Sequence, residues 1–253
     1  MLVYTAPMLT QLPKPPWTKL GASLESACRK ALYDFSLLEG DGPLAIALSG
    51  GKDSLTLLYL LHAIIGRGFP LRPIVALNVS GAFSCGASIS QGFLQKTCQE
   101  LNVPLKVLNV EQNVDTIECY SCSRQRRKAL FEAARAEGAE LIAFGHHQDD
   151  LSETLLLNLY HKGEFAGLLP KTPMQKYGVT IIRPLIYISE QKIWEFAKLY
   201  GFARITCQCP HGQNSKRRTV KDLLGEIEQS FPNVRSNLAQ ASLLHGSQKA
   251  SFP

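Results

Sequence analysis

One run of six residues has the side chains and the backbone that a phosphate-binding turn needs. The run consists of Ser49, Gly50, Gly51, Lys52, Asp53 and Ser54. Its two glycines let the backbone approach a ligand closely and adopt positive φ, while its lysine supplies a point charge and its serines supply hydroxyls. An apolar run, 44–48, precedes it and an apolar helical pattern follows it. This order predicts a strand, a turn and a helix N-terminus that faces an anion.

The order of these residues distinguishes between two classes of phosphate-binding turn. A Walker A loop has Gly, four residues and then Gly-Lys-Ser/Thr, whereas here Ile46 lies five positions before Gly51 and Asp53 follows the lysine. The run instead resembles the SGG[KR]DS loop of the pyrophosphate-loop ATPases, also called N-type ATP pyrophosphatases. That resemblance implies that ATP adenylates a carbonyl oxygen and that pyrophosphate is released. The alternative is a strand–helix turn that contains two glycines and binds no ligand.

Composition places the chain among ordinary globular proteins. Its 253 residues are 45% hydrophobic and 19% charged, and no apolar run is long enough to cross a bilayer. The N-terminus lacks the features of a secretory signal, so we expect a cytoplasmic protein with no membrane partner and with reduced thiols. Seven cysteines in such a chain indicate metal binding or catalysis rather than disulfides. The net charge of +6 is compatible with a polyanionic partner.

Strands and helices are predicted to alternate over the first 160 residues. The predicted strands are 44–48, 74–79, 105–110, 140–144 and 179–182. The predicted helices are 23–38, 54–66, 92–101, 126–137, 151–160, 189–200 and 216–229. This alternation indicates an α/β fold with a doubly wound, mostly parallel sheet that has helices on both faces. Residues 161–177 contain glycine and proline and are predicted to form a loop.

Three parts of different character are expected along the chain. Residues 1–20 are rich in proline and are predicted to form an extended arm. Residues 21–205 contain the alternating pattern and form the predicted pyrophosphate-loop domain. Residues 206–253 contain a cysteine pair and a basic helix, and are predicted to form a small helical extension whose last residues, 246–253, are frayed.

Polar residues follow three of the predicted strands, at the edge where ligands of such sheets bind. Besides the loop after the first strand, these are the stretch 78–83, which begins with Asn78 at the end of the second strand, and the run 145–150, GHHQDD, after the fourth. Asp149 and Asp150 are suited to hold Mg²⁺ or to steer a proton. The two histidines of the run either pack at a strand end, or one of them lines the nucleotide site.

Cys119 and Cys122 form a Cys-x-x-Cys pair with several possible chemistries. Alone, the pair fits a dithiol redox site, half of a zinc site or half of an iron–sulfur site. The second pair, Cys207 and Cys209, has a single intervening residue, which is poor spacing for two ligands of one zinc ion. One cysteine from this second pair, added to Cys119 and Cys122, would give three thiolate ligands. Three thiolates leave one iron of a four-iron cluster without a protein ligand.

Four ordered motifs extend the resemblance over about residues 22 to 230. They are CYSCSRQRRKALFEAA, GHHQDDLSETLLLNL, IIRPLIYISEQKIWEFA and CPHGQNSKRRTVKDLL. They resemble the motifs of the tRNA 2-thiolation enzymes, and most of all those of the tRNA 2-thiocytidine synthetase group. The resemblance implies a fold of the adenine nucleotide alpha hydrolase (HUP) type. It implies adenylation of O2 of a tRNA cytidine, followed by displacement of AMP by sulfur delivered through a [4Fe-4S] cluster.

The resemblance also implies roles for individual residues. The cofactor-binding set comprises the six residues of the loop together with Asn78, Gly145 and His146. The catalytic set comprises Lys52, Asp53, Arg126, Asp149 and Asp150. The metal-ligand set comprises Cys119, Cys122 and Cys209, with Cys207 as the competitor for the third place. The cofactors are then ATP, Mg²⁺ and the cluster, and the partners are tRNA and a sulfur donor such as a cysteine desulfurase, with a homodimer also allowed.

Several features remain open or depart from the family pattern. Many relatives have an acid just after the second strand, where this chain has Asn78, so no acidic contact is assigned there. Cys28, Cys85 and Cys98 have no partner spacing and are expected to be buried thiols. Two basic clusters are either tRNA-binding surfaces or solvated helix faces. They consist of Arg124, Arg126, Arg127 and Lys128, and of Lys216, Arg217, Arg218 and Lys221.

Two rival functions follow from the same residues. One is a pyrophosphate-loop ligase that needs no cluster, such as a tRNA lysidine synthetase, although the Cys-x-x-Cys pair argues against it. The other is a protein that is not an enzyme, in which zinc or a dithiol is the working group and the nucleotide loop is regulatory.

Overall fold

The computed structural model describes residues 12–80, 91–110, 119–202 and 216–246, with only the backbone described at residues 119 and 120. Eight helices and six strands lie within these ranges. The helices are α1 (Lys19–Asp34), α2 (Lys52–Ile64), α3 (Gln91–Glu100), α4 (Cys119–Ala136), α5 (Gln148–Lys162), α6 (Glu190–Leu199), α7 (Lys216–Ser230) and α8 (Val234–His245). The strands are β1 (Leu44–Ala47), β2 (Ile74–Ser80), β3 (Leu105–Asn109), β4 (Leu141–Ala143), β5 (Lys171–Met174) and β6 (Val179–Ile182).

The six strands form one sheet in the order β3-β2-β1-β4-β6-β5. The first five are mutually parallel, and β5 pairs antiparallel with β6 at the edge. Strand β1 lies at the centre, where Ala45 is the register partner of both Val75 and Ile142. The predicted α/β class with a mostly parallel, doubly wound sheet is therefore confirmed.

Alternate residues of the strands contribute to two apolar layers, as the period of two along a strand requires. Ile46 belongs to the larger layer, which contains the leucines of α2 together with residues of α1, α3 and α6. Its neighbour Ala45 belongs to the opposite layer, which is packed against Leu130 and Phe131 of α4. Helix α2 is buried almost all round, which explains its nearly continuous apolar sequence.

Two predictions about local structure were wrong. Residues 161–177 are not a loop throughout, because 171–174 form β5 and Gln175–Tyr177 form a 3-10 turn. Pro173 discouraged a strand assignment, but β5 is an edge strand, and an edge tolerates the missing N–H donor. Helix α4 begins at Cys119 rather than near residue 126, so the Cys-x-x-Cys pair lies inside its first turns.

Both ends of the described chain pack on the sheet domain. Leu12 and Trp17 contact the larger apolar layer, and the Trp17 ring lies edge-on to Phe196 with centroids 5.9 Å apart. Leu156 of α5 packs with Val220 and Leu224 of α7. The boundaries of the arm and of the extension stay predictions. Among the described residues, no helix has the length and apolarity that spanning a membrane requires.

Candidate active site

The loop between β1 and α2 is braced by its own hydroxyl groups. The Ser54 Oγ accepts a hydrogen bond from the Gly50 N–H at 3.1 Å and donates one to the Gly51 carbonyl at 3.0 Å. It also lies 3.1 Å from the Ser49 Oγ, which accepts from the Gly51 N–H at 3.3 Å. Gly50 has φ of 86°, a conformation that side chains disfavour. The shape of the loop is therefore stabilised by hydrogen bonds among its own residues.

Lys52 is held between two carboxylates. Its Nζ lies 2.7 Å from the Asp53 Oδ1 and 3.2 Å from the Glu190 Oε1. Burial acts to lower the pKa of Lys52, but these two acids outweigh burial and the pKa is raised. The loop therefore presents a permanently charged ammonium group.

Glu190 is a central acid of this edge that the sequence analysis did not single out. Its second carboxylate oxygen, Oε2, accepts from the Lys221 Nζ at 2.5 Å, so one carboxylate joins α2 to α7. Burial would raise the pKa of Glu190, but the hydrogen bond from Lys221 and the charge of Lys52 lower it to about 2. In the sequence, Glu190 directly follows Ser189, which caps the helix. That position predicts the start of a helix and does not by itself predict a functional site.

The turn after β4 packs directly against the start of α2. A Cβ atom on Gly145 would lie 3.0 Å from both the Asp53 carbonyl carbon and the Ser54 nitrogen. Glycine is needed here because the two backbones touch. The motif after β4 is thereby fixed to the phosphate-binding loop.

The two adjacent acids have different partners. Asp150 accepts from the His147 N–H at 2.9 Å and from Arg217 of α7 at 2.7 Å. Asp149 accepts from the backbone N–H of Glu190 at 2.7 Å and so holds the beginning of α6. Burial would raise the pKa of Asp150, but its interactions with His147, His146 and Arg217 lower it to about 2. Asp150 is therefore ionised across the physiological range.

The two histidines of the run face different groups. The His146 ring stacks on Phe144 and its Nδ1 accepts from the Arg183 Nε at 3.3 Å. Burial and the charge of Arg183 lower the pKa of His146 to about 3, so this ring is neutral at physiological pH. The buried His147 has its Nε2 3.4 Å from the Asp150 Oδ2 and 3.8 Å from the Asp53 Oδ1. His147 thus connects the loop to the acids.

Asn78 and Arg126 brace the end of β2. The buried Asn78 amide donates to the Leu48 carbonyl at 2.7 Å, which ties β2 to the entrance of the loop. Arg126 donates to the Val79 carbonyl at 2.8 Å. Because Cys122 is one helical turn before Arg126, the face of α4 that contains both positions is turned toward this edge of the sheet. Whether Asn78 touches a nucleotide stays a prediction.

The predicted metal ligands are only partly described. Cys122 is buried, and position 119 is three residues earlier on the same continuous helix, so the two positions share one face. Cys207 and Cys209 lie outside the described residues, as does Cys85. Within the described ranges, no three His, Cys, Asp or Glu side chains form a metal-binding group. The choice of third ligand therefore stays a prediction.

The α7 basic cluster is divided between the site and the solvent. Arg217 donates to Glu153 at 3.0 Å as well as to Asp150, and Lys221 is bonded to Glu190. Lys216 and Arg218 are exposed, with Arg218 3.1 Å from Asp222. Half of the predicted surface thus contributes instead to the acids of the candidate site.

Comparisons with known proteins agree with this geometry. A family model described as a PP-loop domain matches residues 21–223. A tRNA-cytidine(32) 2-sulfurtransferase from Syntrophotalea carbinolica is 32% identical over 231 residues, covering 88% of this chain and 89% of the relative. An enzyme with the same description from Pelobacter propionicus is 33% identical, covering 86% and 84%. The solved U34-tRNA thiolase of Methanococcus maripaludis, which has a [4Fe-4S] cluster, is similar in fold, with a TM-score of 0.71, 22% identity, and coverage of 88% and 77%.

Proposed function

The chain belongs to the PP-loop domain family, and from this membership we propose that it is an ATP-dependent tRNA sulfurtransferase that forms 2-thiocytidine. The proposal is supported by relatives described as tRNA-cytidine(32) 2-sulfurtransferases, which align over most of both chains. By analogy with those relatives, the substrate is a tRNA cytidine at position 32. The predicted family resemblance is borne out by the same alignments.

The observation that supports this function best is the meeting of three motifs at one sheet edge. Gly145 joins the motif after β4 to the backbone of the loop at Asp53 and Ser54. Arg126 joins the Cys-x-x-Cys helix to the end of the neighbouring strand β2. A nucleotide-binding loop, a pair of acids and a cysteine helix are therefore assembled around one region.

In the proposed first step, the cytidine is adenylated. O2 of the base forms a bond to the α-phosphorus of ATP, and the bond from that phosphorus to the bridging oxygen breaks. Pyrophosphate leaves with the electron pair. Lys52 and the first backbone N–H groups of α2 would neutralise and orient the phosphates, as fixed donors do in phosphoryl transfer.

Asp150 is the acid we assign to Mg²⁺. Carboxylate oxygens are the ligands that this ion prefers. Asp149 is committed to the start of α6, whereas the partner of Asp150 is Arg217, whose side chain is 43% exposed. In this proposal, a cation bound with ATP takes the place of Arg217 at Asp150.

In the proposed second step, sulfur replaces the activated oxygen. A sulfur atom at the oxidation level of sulfide bonds to C2, the C2–O2 bond breaks, and AMP leaves with O2. Cys119, Cys122 and Cys209, with Cys207 as the competitor, would hold a [4Fe-4S] cluster, which supplies this sulfur when bound. The donor set fits such a group because it consists of thiols, and thiolates at the start of a helix are favoured by its dipole.

The remaining partners belong to the same proposal. A sulfur donor such as a cysteine desulfurase, together with a two-electron reductant that brings its persulfide sulfur to the level of sulfide, would restore the consumed sulfur, because each turnover removes one atom. The cytoplasm is the compartment where tRNA, ATP and reduced thiols occur together. A homodimer stays a prediction from the family resemblance.

Mass analysis of tRNA nucleosides from cells that lack the gene tests the proposal. We expect 2-thiocytidine to disappear, to return with the wild-type gene and not to return with Lys52→Ala. Unchanged 2-thiocytidine would contradict the function, and loss of lysidine instead would favour the ligase rival. Anaerobic purification adds a second discriminator: a brown protein supports the cluster, whereas a colourless zinc protein supports the regulatory rival.

A further inference from the structure

The outer face of α4 lines a cavity of about 760 Å³ that lies outside the candidate active site. The residues of α4 that line it include Ser121, Arg124, Lys128, Glu132 and Arg135, and the 3-10 turn after β5 contributes Lys176. Arg124 and Lys128 belong to the first basic cluster of the sequence, whereas Arg135 and Lys176 lie outside it.

The lining residues form one stripe along the helix. Their positions on α4 differ by three or four residues, the spacing that places side chains on one helix face. The other side of α4 is buried in the core through Leu130, Phe131 and Ala134. From residue 121 to residue 135 the stripe extends about 21 Å, at 1.5 Å per residue. The cavity is therefore an elongated groove, which we call the α4 groove.

The charges of the α4 groove are mostly positive and exposed. Arg124, Lys128, Arg135 and Lys176 all have exposed side chains. The single acid of the lining, Glu132, lies 3.7 Å from Lys128, and both side chains are more than half exposed, so this pair is weak. Glu140 is outside the lining but lies 3.7 Å from Arg135, so it offsets part of the charge at that end. Four cations against the one acid of the lining leave the groove positive, which favours an extended polyanion rather than a compact ligand.

The position of the groove relates it to the candidate active site. Ser121, which lines the groove near the N-terminus of α4, lies between Cys119 and Cys122 in the chain. The start of α4 is at the carboxyl edge of the sheet, where Arg126 reaches the Val79 carbonyl. A strand lying in the groove would therefore end at the cysteine pair.

We propose that the α4 groove binds the sugar-phosphate backbone of the tRNA strand that leads to the target cytidine. This inference rests on the proposed function, and it selects one of the two basic clusters as the principal docking surface. The other cluster is less suited, because Arg217 and Lys221 on α7 are bonded to Asp150, Glu153 and Glu190.

A charge-reversal experiment tests the proposal. The groove variant has Arg124→Glu, Lys128→Glu and Lys176→Glu in the full, cluster-loaded protein. The control variant has Lys14→Glu, Lys96→Glu and Lys198→Glu, which are exposed residues outside the groove. Each variant reverses three positive charges, so the net charge falls from +6 to about 0 in both. A difference in tRNA binding between the two variants then results from the position of the reversed charges and not from the total charge.

The measurement is the affinity for unmodified tRNA across a salt titration. We expect the groove variant to bind roughly 10- to 100-fold more weakly, with a slope of log K against log salt reduced by about 2, since about 0.7 is lost per single-strand phosphate contact. The control variant should keep most of the wild-type affinity and slope. ATP affinity should be the same in all three proteins, because none of the six residues contacts the loop.

Each outcome has a distinct meaning. Equal tRNA affinity and slope in the groove and control variants would overturn the groove assignment, and an acidic protein surface would become the better occupant. Absence of salt-dependent tRNA binding by the wild-type protein would contradict the proposed function itself. A groove variant that binds tRNA weakly while keeping ATP affinity would support the inference.

Discussion

The Asp149 carboxylate accepts a hydrogen bond from the backbone N–H of Glu190, 41 residues later in the chain, at 2.7 Å. The bond joins the start of α5 to the start of α6, and Asp149 is buried where it forms. Two acids that are neighbours in sequence thus have separable tasks, since Asp150 is directed to His147 and Arg217 instead.

Substitutions of the two acids should therefore differ in their main effect. Asp149→Ala should lower the free energy of unfolding by about 1.5–3 kcal/mol, because it removes a buried hydrogen bond to a charged group. Asp150→Asn should lower the rate of thiolation much more than it lowers stability, because Asp150 is assigned to the cation. Urea unfolding and single-turnover assays measure the two quantities. A wild-type rate of thiolation in folded Asp150→Asn would contradict this division.

Gly145→Ala should weaken ATP binding by at least about tenfold and destabilise the fold by about 1–3 kcal/mol. The added methyl group would lie 3.0 Å from backbone atoms of Asp53 and Ser54, which cannot move as a flexible side chain can. Gly225→Ala in α7 is the matched control, because nothing lies within 4 Å of its Cβ position. We expect the control to be neutral or stabilising by about 0.5–1 kcal/mol. Wild-type ATP affinity in Gly145→Ala would show that the contact is not needed.

Acid should destabilise the protein between about pH 4.5 and pH 2. The pKa of Glu190 and the pKa of Asp150 are each lowered to about 2 from ordinary values of 4.5 and 3.8. Lowered values in the folded state mean that these acids stabilise it above their unfolded pKa and cease to do so as pH falls through the folded pKa. Urea unfolding of nucleotide-free protein from pH 7 to pH 2 measures the effect. Glu190→Gln should flatten the curve, and an unchanged curve would contradict the assigned pKa.

The cysteines should divide into two groups in anaerobic reconstitution. Cys119→Ala and Cys122→Ala should lose bound iron and visible absorbance, whereas Cys28→Ala and Cys98→Ala should keep both. Cys28 and Cys98 are buried, and burial raises the pKa of each thiol, that of Cys98 to about 11, which disfavours the thiolate.

The third ligand is decided by the same assay. Loss of iron in Cys209→Ala, with retention in Cys207→Ala, would support our choice, and the reverse result would exchange the two residues. Full iron and activity in both Cys119→Ala and Cys122→Ala would contradict the sulfur-transfer proposal.

Local spacing was sufficient to predict the sheet and the loop. Short continuous apolar runs followed by helices determine a parallel α/β sheet, and residues 49–54 determine their own turn, because the Ser54 hydroxyl closes it within five residues. The edge location of Asp149 and Asp150 followed from the same alternation. These features depend on near neighbours in the chain, which a sequence displays directly.

Contacts between distant segments could not be predicted in this way. The bonds from Glu190 to Lys52 and Lys221 join three helices, and no spacing rule relates these residues. Helix α8 was also missed, although Asn233 before it is a residue type favoured at helix starts. Strand β5 was missed because Pro173 is acceptable only once the edge position of the strand is known.

The bonds from α7 to the acids have a thermodynamic consequence. Arg217 and Lys221 fasten α7 to Asp150 and Glu190, and α7 begins directly after segment 203–215, in which Cys207 and Cys209 lie. A cation that binds Asp150 or Glu190, or a phosphate that binds Arg217 or Lys221, competes with the ion pairs that attach α7. Ligand binding and the attachment of α7 are then linked by a coupling free energy. By linkage, whatever strengthens that attachment must weaken nucleotide binding by the same factor. If the nucleotide site uses these acids, its occupancy and the attachment of α7 are therefore reciprocal quantities.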